Sequence, residues 1–278
     1  MSIGRQCPTD RCCLFDRNQK LSEINSVLTA ATIILTAVIT TIVGVLIGAI
    51  GIGGVVLVPV LTYILGLDIH VAIATAMFTY LFSGGIGAIE YARRGSIRWT
   101  MALWLCAGGM PGAYLGAVTA WMISGTALEI IIGMLVLFAG LQAFRRHTET
   151  QQTEIELHPF GLATVGLVTG FASAITGTGG PLVLIPILIW LQIPILTAIG
   201  LSQVIQIPIA LLATTGNMLF GAIEFGTGIG IAILLMIGVI MGTRVAHRVS
   251  RDILKRVTAF ALLMVGGSLL ARTLAMAL

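Results

Sequence analysis

The polar side chains inside the apolar stretches of this chain are few, and their types suit hydrogen bonding to a guest rather than bond breaking. Thr75, Thr79 and Ser83 lie in the first half, and Thr176, Thr178, Ser202, Gln203, Gln206 and Asn217 in the second. Ser202 and Gln206 are four residues apart and share a helical face. An amide without a partner in hydrocarbon is costly. Gln203 and Gln206 must therefore donate either to the oxygens of a bound oxyanion or to a neighbouring helix. Glu90 is followed three and four residues later by Arg93 and Arg94, a spacing that predicts an interfacial ion pair. Glu224 has no such basic neighbour in sequence and is the candidate to carry a coupled proton. His70 and His158 are expected in loops, and no two histidines form a metal-binding pair on one helical face. With no Ser/His/Asp set, Walker loop or zinc signature, the expectation is no metal, no cofactor and no enzymatic centre.

Two glycine clusters stand beside these residues. Gly51-Ile-Gly53-Gly54 and Gly177-Thr178-Gly179-Gly180 each interrupt a long apolar run, and each precedes a short apolar run containing a proline, Pro59 or Pro186. In hydrocarbon, unwound backbone survives only when buried in protein or lining a wet cavity. Glycine lets a ligand approach the backbone closely. A helix that begins after such a break presents free N–H groups and a positive dipole end, which attract an anion. Broken helices at matching places of two halves are the sequence pattern of a transporter's binding site. Gly51, Gly53, Gly54, Gly177, Gly179 and Gly180 are thus expected to shape a site for a small anionic substrate. Thr75, Thr178, Ser202, Gln203 and Gln206 are its side-chain candidates. Gly108/Gly112 and Gly238/Gly242, four apart, read instead as close helix packing.

The elements that must position these residues are membrane helices. The chain has 278 residues, 57% hydrophobic and only 9% charged, against about 25% charged in a soluble domain. Its surface must face a lipid bilayer. Spans are expected at Val27–Ile50, Val71–Ile89, Met101–Ile123, Leu128–Phe144, Phe160–Ile175, Ile195–Phe220, Thr227–Gly242 and Leu254–Ala277. The first apolar run is too long for a cleavable signal and reads as a permanent span. The net charge of +4 is modest, and no basic run is interleaved with aromatics, so nucleic acid is not an expected partner. Cys7, Cys12 and Cys13 fall in the polar tail, 1–25, without a His/Cys cluster at ligand spacing.

The chain is internally duplicated. Gly51 to Pro59 matches Gly177 to Pro186 with one inserted residue, and Gly87-Ala-Ile-Glu-Tyr91 matches Gly221-Ala-Ile-Glu-Phe225. Gly108/Gly112 matches Gly238/Gly242, and Leu128–Gly140 matches Leu254–Gly266 in pattern. Residues 26–146 and 159–278 form two repeats joined by a polar linker, 147–158. The fold expected is an all-α membrane protein with two homologous repeats of four to five transmembrane segments each. If each short broken run crosses, the second repeat is inverted, and Arg93, Arg94, Arg98, Arg145, Arg146, Arg244, Arg248, Arg251, Lys255 and Arg256 share one side. The positive-inside rule favours that arrangement.

The paired Gly51-Ile-Gly-Gly…Pro59 and Gly177-Thr-Gly-Gly…Pro186 motifs, each followed by an Ala-rich helix (Ala72–Ala76, Ala198–Ser202), make the chain resemble the sulfite exporter TauE/SafE family of membrane permeases. The likeness covers Val27 to Ala277. Where that family carries three consecutive glycines and a Thr-Ser pair, this chain has two adjacent glycines in each copy, and reads Thr75-Ala76 and Leu201-Ser202. The resemblance implies transport of sulfite or an organosulfonate such as sulfoacetate. The expectation is a multi-pass secondary permease of the cell inner membrane, working by alternating access with a proton or sodium as coupling ion. Composition alone leaves two alternatives: a proton-coupled exporter of another small metabolite, or a non-transporting membrane scaffold.

Overall fold

The computed structural model describes residues 31–51, 53–144, 158–219 and 223–245, and four later positions, 260, 263, 264 and 267. The cysteines of the tail, the polar linker apart from His158, and most of the last expected span lie outside the described residues. Among the described residues the architecture is helical, with no strand. Helix α1 is Ala31–Ile50. After the first break come a 3-10 turn, Gly53–Val56, and the short helix α2, Leu57–Tyr63. Then follow α3 (Ile69–Ala92), α4 (Trp99–Met122), α5 (Gly125–Phe144), α6 (Pro159–Thr176), α7 (Pro181–Trp190), α8 (Ile195–Met218) and α9 (Phe225–Val245).

Of these, α1, α3, α4, α6, α8 and α9 are long and apolar enough to cross a membrane. Their outward faces suit lipid: Ile229, Ile233, Ile237 and Met241, one turn apart on α9, are all about half exposed. Local signals set the boundaries. The Asp68 carboxylate accepts from the His70 N–H at the start of α3, and the His158 ring accepts from the Phe160 N–H ahead of Pro159 at the start of α6. His70, expected in a loop, is therefore in the first turn of α3, because Asp68 caps the helix just before it. Gly177 ends α6 in the left-handed conformation (φ 66°), and Pro181 opens α7.

Helix α8 packs on α3, α4, α6 and α7, and α3 also packs on α9. The glycines expected to pack helices do so. A methyl group at Gly108, Gly112 or Gly116 of α4 would collide with the carbonyl oxygen of Ala163, Leu167 or Phe171 of α6, respectively. Positions rise together on both helices, so α4 and α6 run in the same direction. Gly44 and Gly48 of α1 meet Leu235 and Val239 of α9 in the same way, and that pair is also parallel. Lipid offers no hydrophobic drive between helices, so such backbone approach supplies the dispersion contacts that hold them. Helices α3 and α8 behave differently. Gly84 abuts Gln206 while Gly87 abuts Gln203, so they cross antiparallel.

Charges segregate to the two ends of the bundle. Glu90 pairs with Arg93 at 3.7 Å and Arg94 at 3.4 Å, as the spacing predicts, and Arg94 also donates to the Thr243 carbonyl near the end of α9 at 2.7 Å. At the opposite end, His70 lies 3.2 Å from both the Asp68 carboxylate and the Ile123 carbonyl that follows α4. There the Glu224 N–H donates to Thr75 Oγ1 at 3.2 Å.

Candidate functional site

The two breaks meet at the centre of the molecule. Both are buried: Gly51, Gly53 and Gly54 in the first, and Gly177 through Gly180 in the second. A Cβ at Gly54 would lie 2.9 Å from the Thr178 carbonyl oxygen, and one at Gly177 would lie 2.7 Å from Val58 Cγ2. Gly51, Gly177, Gly179 and Gly180 have φ of 84°, 66°, 79° and 112°, a region side chains avoid. Gly53 turns the chain back onto α1, against Val43, Leu46 and Ile47. The junction is closed in this conformation, each break filling the space beside the other.

Helix α8 brings the polar residues to this junction. Ser202 Oγ is 3.4 Å from the Cβ position of Gly51, and Gln206 Nε2 is 3.3 Å from that of Gly179. Gln203 reaches α1, donating to the Ile47 carbonyl at 3.3 Å. Gln206 donates to the Tyr80 carbonyl at 3.5 Å and to Ser83 Oγ at 3.4 Å. Thr178 shares a hydrogen bond of 3.1 Å with Thr176. The structure thus gathers Gly51, Gly53, Gly54, Gly177, Thr178, Gly179, Gly180, Ser202 and Gln206 at the junction, and sets Gln203 beside it between Ile47 of α1 and Gly87 of α3, with its amide oxygen against Gly87. It places Thr75 elsewhere: with Glu224, at the start of α9, where the Glu224 side chain is exposed.

Within this cluster the Ser202 and Thr178 hydroxyls and one N–H of Gln203 already have acceptors. The Ser202 hydroxyl donates to the Ile199 carbonyl at 2.7 Å. Thr176 donates to the Ala172 carbonyl at 2.7 Å, so the proton between Thr176 and Thr178 belongs to Thr178. The atoms left without a partner include the amide oxygens of Gln203 and Gln206 and the hydroxyl of Ser173, all buried. Ser173 Oγ lies 4.0 Å from the Cβ position of Gly180, beside the first turn of α7.

Three contributors escape a reading of the sequence alone. The Tyr80 and Tyr91 hydroxyls donate to the carbonyls of Gly54 and Gly48, the latter at 2.9 Å, and so fix the end of α1 and the first break. Ser173 sits among Ala and Ile on α6 and reads as filler. For the tyrosines a signal existed: both are phenols within an apolar span, where a buried hydroxyl needs a partner. A fourth residue, Glu129, stands one turn into α5 at the Asp68 end, in a cleft lined by Val58, Pro59, Thr62, Tyr63, Ile69 and Ile132. It was visible as a lone carboxylate in the apolar run after Gly125. Among the described residues no group of three or more His, Cys, Asp or Glu could hold a metal ion.

Comparison with known proteins agrees with this architecture. The family model described as "Sulfite exporter TauE/SafE" matches residues 30–269. A "Probable membrane transporter protein" of Xylella fastidiosa (strain 9a5c) is 28% identical over 240 residues, covering 83% of this chain and 92% of the relative. The "Probable membrane transporter protein YdhB" of Bacillus subtilis (strain 168) is 25% identical over 230 residues, covering 80% and 93%. The "Probable membrane transporter protein MJ0441" of Methanocaldococcus jannaschii is 28% identical over 177 residues, covering 60% and 66%. No solved structure matches. A bundle of membrane-length helices with two central breaks and a family match over most of its length make this chain a multi-pass membrane transporter, and it belongs to the sulfite exporter TauE/SafE family.

Proposed function

We propose that this protein is a secondary permease of the inner membrane that moves a small sulfur-containing oxyanion, such as sulfite or a sulfonate, by alternating access, with the two breaks as its cargo site. The observation that carries the reading is the meeting of both breaks at one buried point, with the first turn of α7 opening there from Gly179 and Gly180. The N–H groups of a helix start favour negative charge. The junction is closed as it stands, so in this reading the cargo enters when the two breaks part.

The repeats, 26–146 and 159–278, are inverted in this reading. The equivalent helices α3 and α8 cross antiparallel, which supports a two-fold axis in the membrane plane over one along the normal. Arg93, Arg94, Arg98 and Arg244 share one end of the bundle, which the positive-inside rule makes cytoplasmic. Asp68, Glu129 and Glu224 then face outward. Glu224, exposed at that surface, is the carboxylate we assign to a coupled proton.

Flux into proteoliposomes tests the reading, with labelled sulfite as cargo and thiosulfate, sulfoacetate and sulfate as competitors. Wild-type protein should accelerate sulfite movement, and a pH gradient should drive it. Glu224→Gln should keep the flux but remove its dependence on the gradient. Absence of flux with every sulfur anion contradicts the transport assignment, and unchanged gradient dependence in Glu224→Gln retires the coupling role alone.

A further inference from the structure

At the Asp68 end of the bundle one imidazole faces two oxygens. His70 Nδ1 lies 3.2 Å from Asp68 Oδ1, and Nε2 lies 3.2 Å from the Ile123 carbonyl oxygen. A carboxylate and a carbonyl only accept. A neutral imidazole has a single N–H, so it donates to one of them and turns a lone pair on the other, whereas the imidazolium donates to both. The ring also stacks on Trp121, with centroids 4.9 Å apart and planes 25° apart. An aromatic face attracts a cation, indole most of all. All three contacts are therefore strongest when the ring is protonated, and histidine is the side chain whose charge ordinarily changes between about pH 5 and 8.

These contacts cross between helices that otherwise touch little. Helix α3 packs on α2, α5, α6, α8 and α9, whereas Trp121 and Ile123 stand at the end of α4. That end is itself fixed to the second half, since the Trp121 indole N–H donates to Asn217 Oδ1 of α8 at 3.0 Å. What His70 holds is therefore the start of α3, and with it α2, whose Val58 lies against Gly177 of the second break. The His70 side chain is 18% exposed, so protons reach it. The elements packed on α3 present Tyr63 on α2, Glu129 on α5 and Arg244 on α9, with Glu224 just before α9, while the described residues of α6 and α8 include no titratable group. Helix α4 adds Cys106 and Tyr114. Glu90, Arg98 and Arg244 belong to the opposite end. Near His70 the described charged groups are thus the carboxylates of Asp68, Glu129 and Glu224, and no described Lys or Arg competes for its two oxygens.

We propose that His70 is a pH-operated latch, closed when its ring is protonated, that clamps the start of α3 to the end of α4. Loss of the proton takes away one of the two hydrogen bonds, sets a lone pair against an oxygen and removes the charge from the stack on Trp121. The start of α3 then leaves the end of α4, which stays on α8 through Asn217. On the reading of the breaks as cargo site, this movement carries α2 off Gly177 and admits the cargo from the Asp68 end. The latch answers to the pH on its own side and carries no proton across, so it is separate from the coupling role assigned to Glu224.

Tryptophan fluorescence of the detergent-solubilised full chain tests the latch without any cargo. Trp99, Trp104 and Trp190 are exposed, and replacing each with phenylalanine leaves Trp121 as the reporter. Its intensity follows the charge of the stacked ring, because an imidazolium quenches indole emission, and acrylamide, a neutral quencher, reads how far the indole is uncovered. Between about pH 5 and 8 both intensity and acrylamide access should rise together, the open-to-closed ratio growing about tenfold for the loss of one hydrogen bond from a charged donor. His70→Gln should be uncovered at every pH. His70→Arg keeps a charge, two donor directions and the stack, and should stay covered at every pH. Both variants are compared as single species on elution. Acrylamide access that stays level in the parent protein while its intensity titrates would mean that the ring changes charge without opening anything, and would overturn the latch. So would pH-dependent access that survives in His70→Gln. Either result leaves the transport reading standing, while absence of anion flux retires that reading and leaves the latch in place.

Discussion

The residue that most constrains the junction is Tyr80. Its ring is fully buried, its hydroxyl donates to the Gly54 carbonyl, and its own carbonyl accepts from Gln206. One side chain thus ties the first break to α3 and, through its backbone, to α8. Tyr80→Phe keeps the ring and removes the hydroxyl, leaving the Gly54 carbonyl short of a donor in a buried place. The expected cost is about 1–3 kcal/mol, read as a lower unfolding midpoint in detergent together with slower anion flux. A variant with wild-type midpoint and flux would show that the tie is dispensable. At this scale the sequence was least informative. The partners of Tyr80, Tyr91, Gln206 and Gln203 lie 26, 43, 126 and 156 residues away. Side-chain type predicts that such groups need partners, but not which carbonyl answers, and so not which of their atoms remain free.

Elements were far more legible. Within the described residues, expected spans and observed helices agree to within a few residues, as for Ile195–Phe220 against Ile195–Met218, because a bilayer demands a long apolar run and tolerates few substitutes for it. The breaks were legible for the complementary reason: clustered glycines with a nearby proline have no use in a continuous helix. Helix direction was not legible, since it is set by which faces meet. In the proposed duplication the loops joining α3 to α4 and α8 to α9 are equivalent, and they provide a direct check. In a cysteine-free background, Arg93→Cys and Leu219→Cys, both at exposed positions, should react with a membrane-impermeant maleimide from opposite sides of the membrane. Labelling from the same side would mean parallel repeats.

For the whole molecule, the arrangement amounts to two helix pairs and a central crossing. Parallel pairs α1–α9 and α4–α6 are locked by backbone contact at glycines, while the antiparallel α3–α8 crossing is stitched by long hydrogen bonds from Gln206. Each pair joins a helix of the first half to a helix of the second, so in the proposed cycle α1–α9 and α4–α6 must move as units about the α3–α8 crossing. The central claim is that the breaks hold the cargo, and flux through reconstituted protein measures it most directly. The comparison is between wild type and variants in which Gly179 and Gly180 are replaced by leucine, each inserted in the membrane and eluting as a single species. The account predicts sulfite flux in the wild type and none above empty liposomes in the leucine variants. Wild-type flux in properly inserted leucine variants would contradict it.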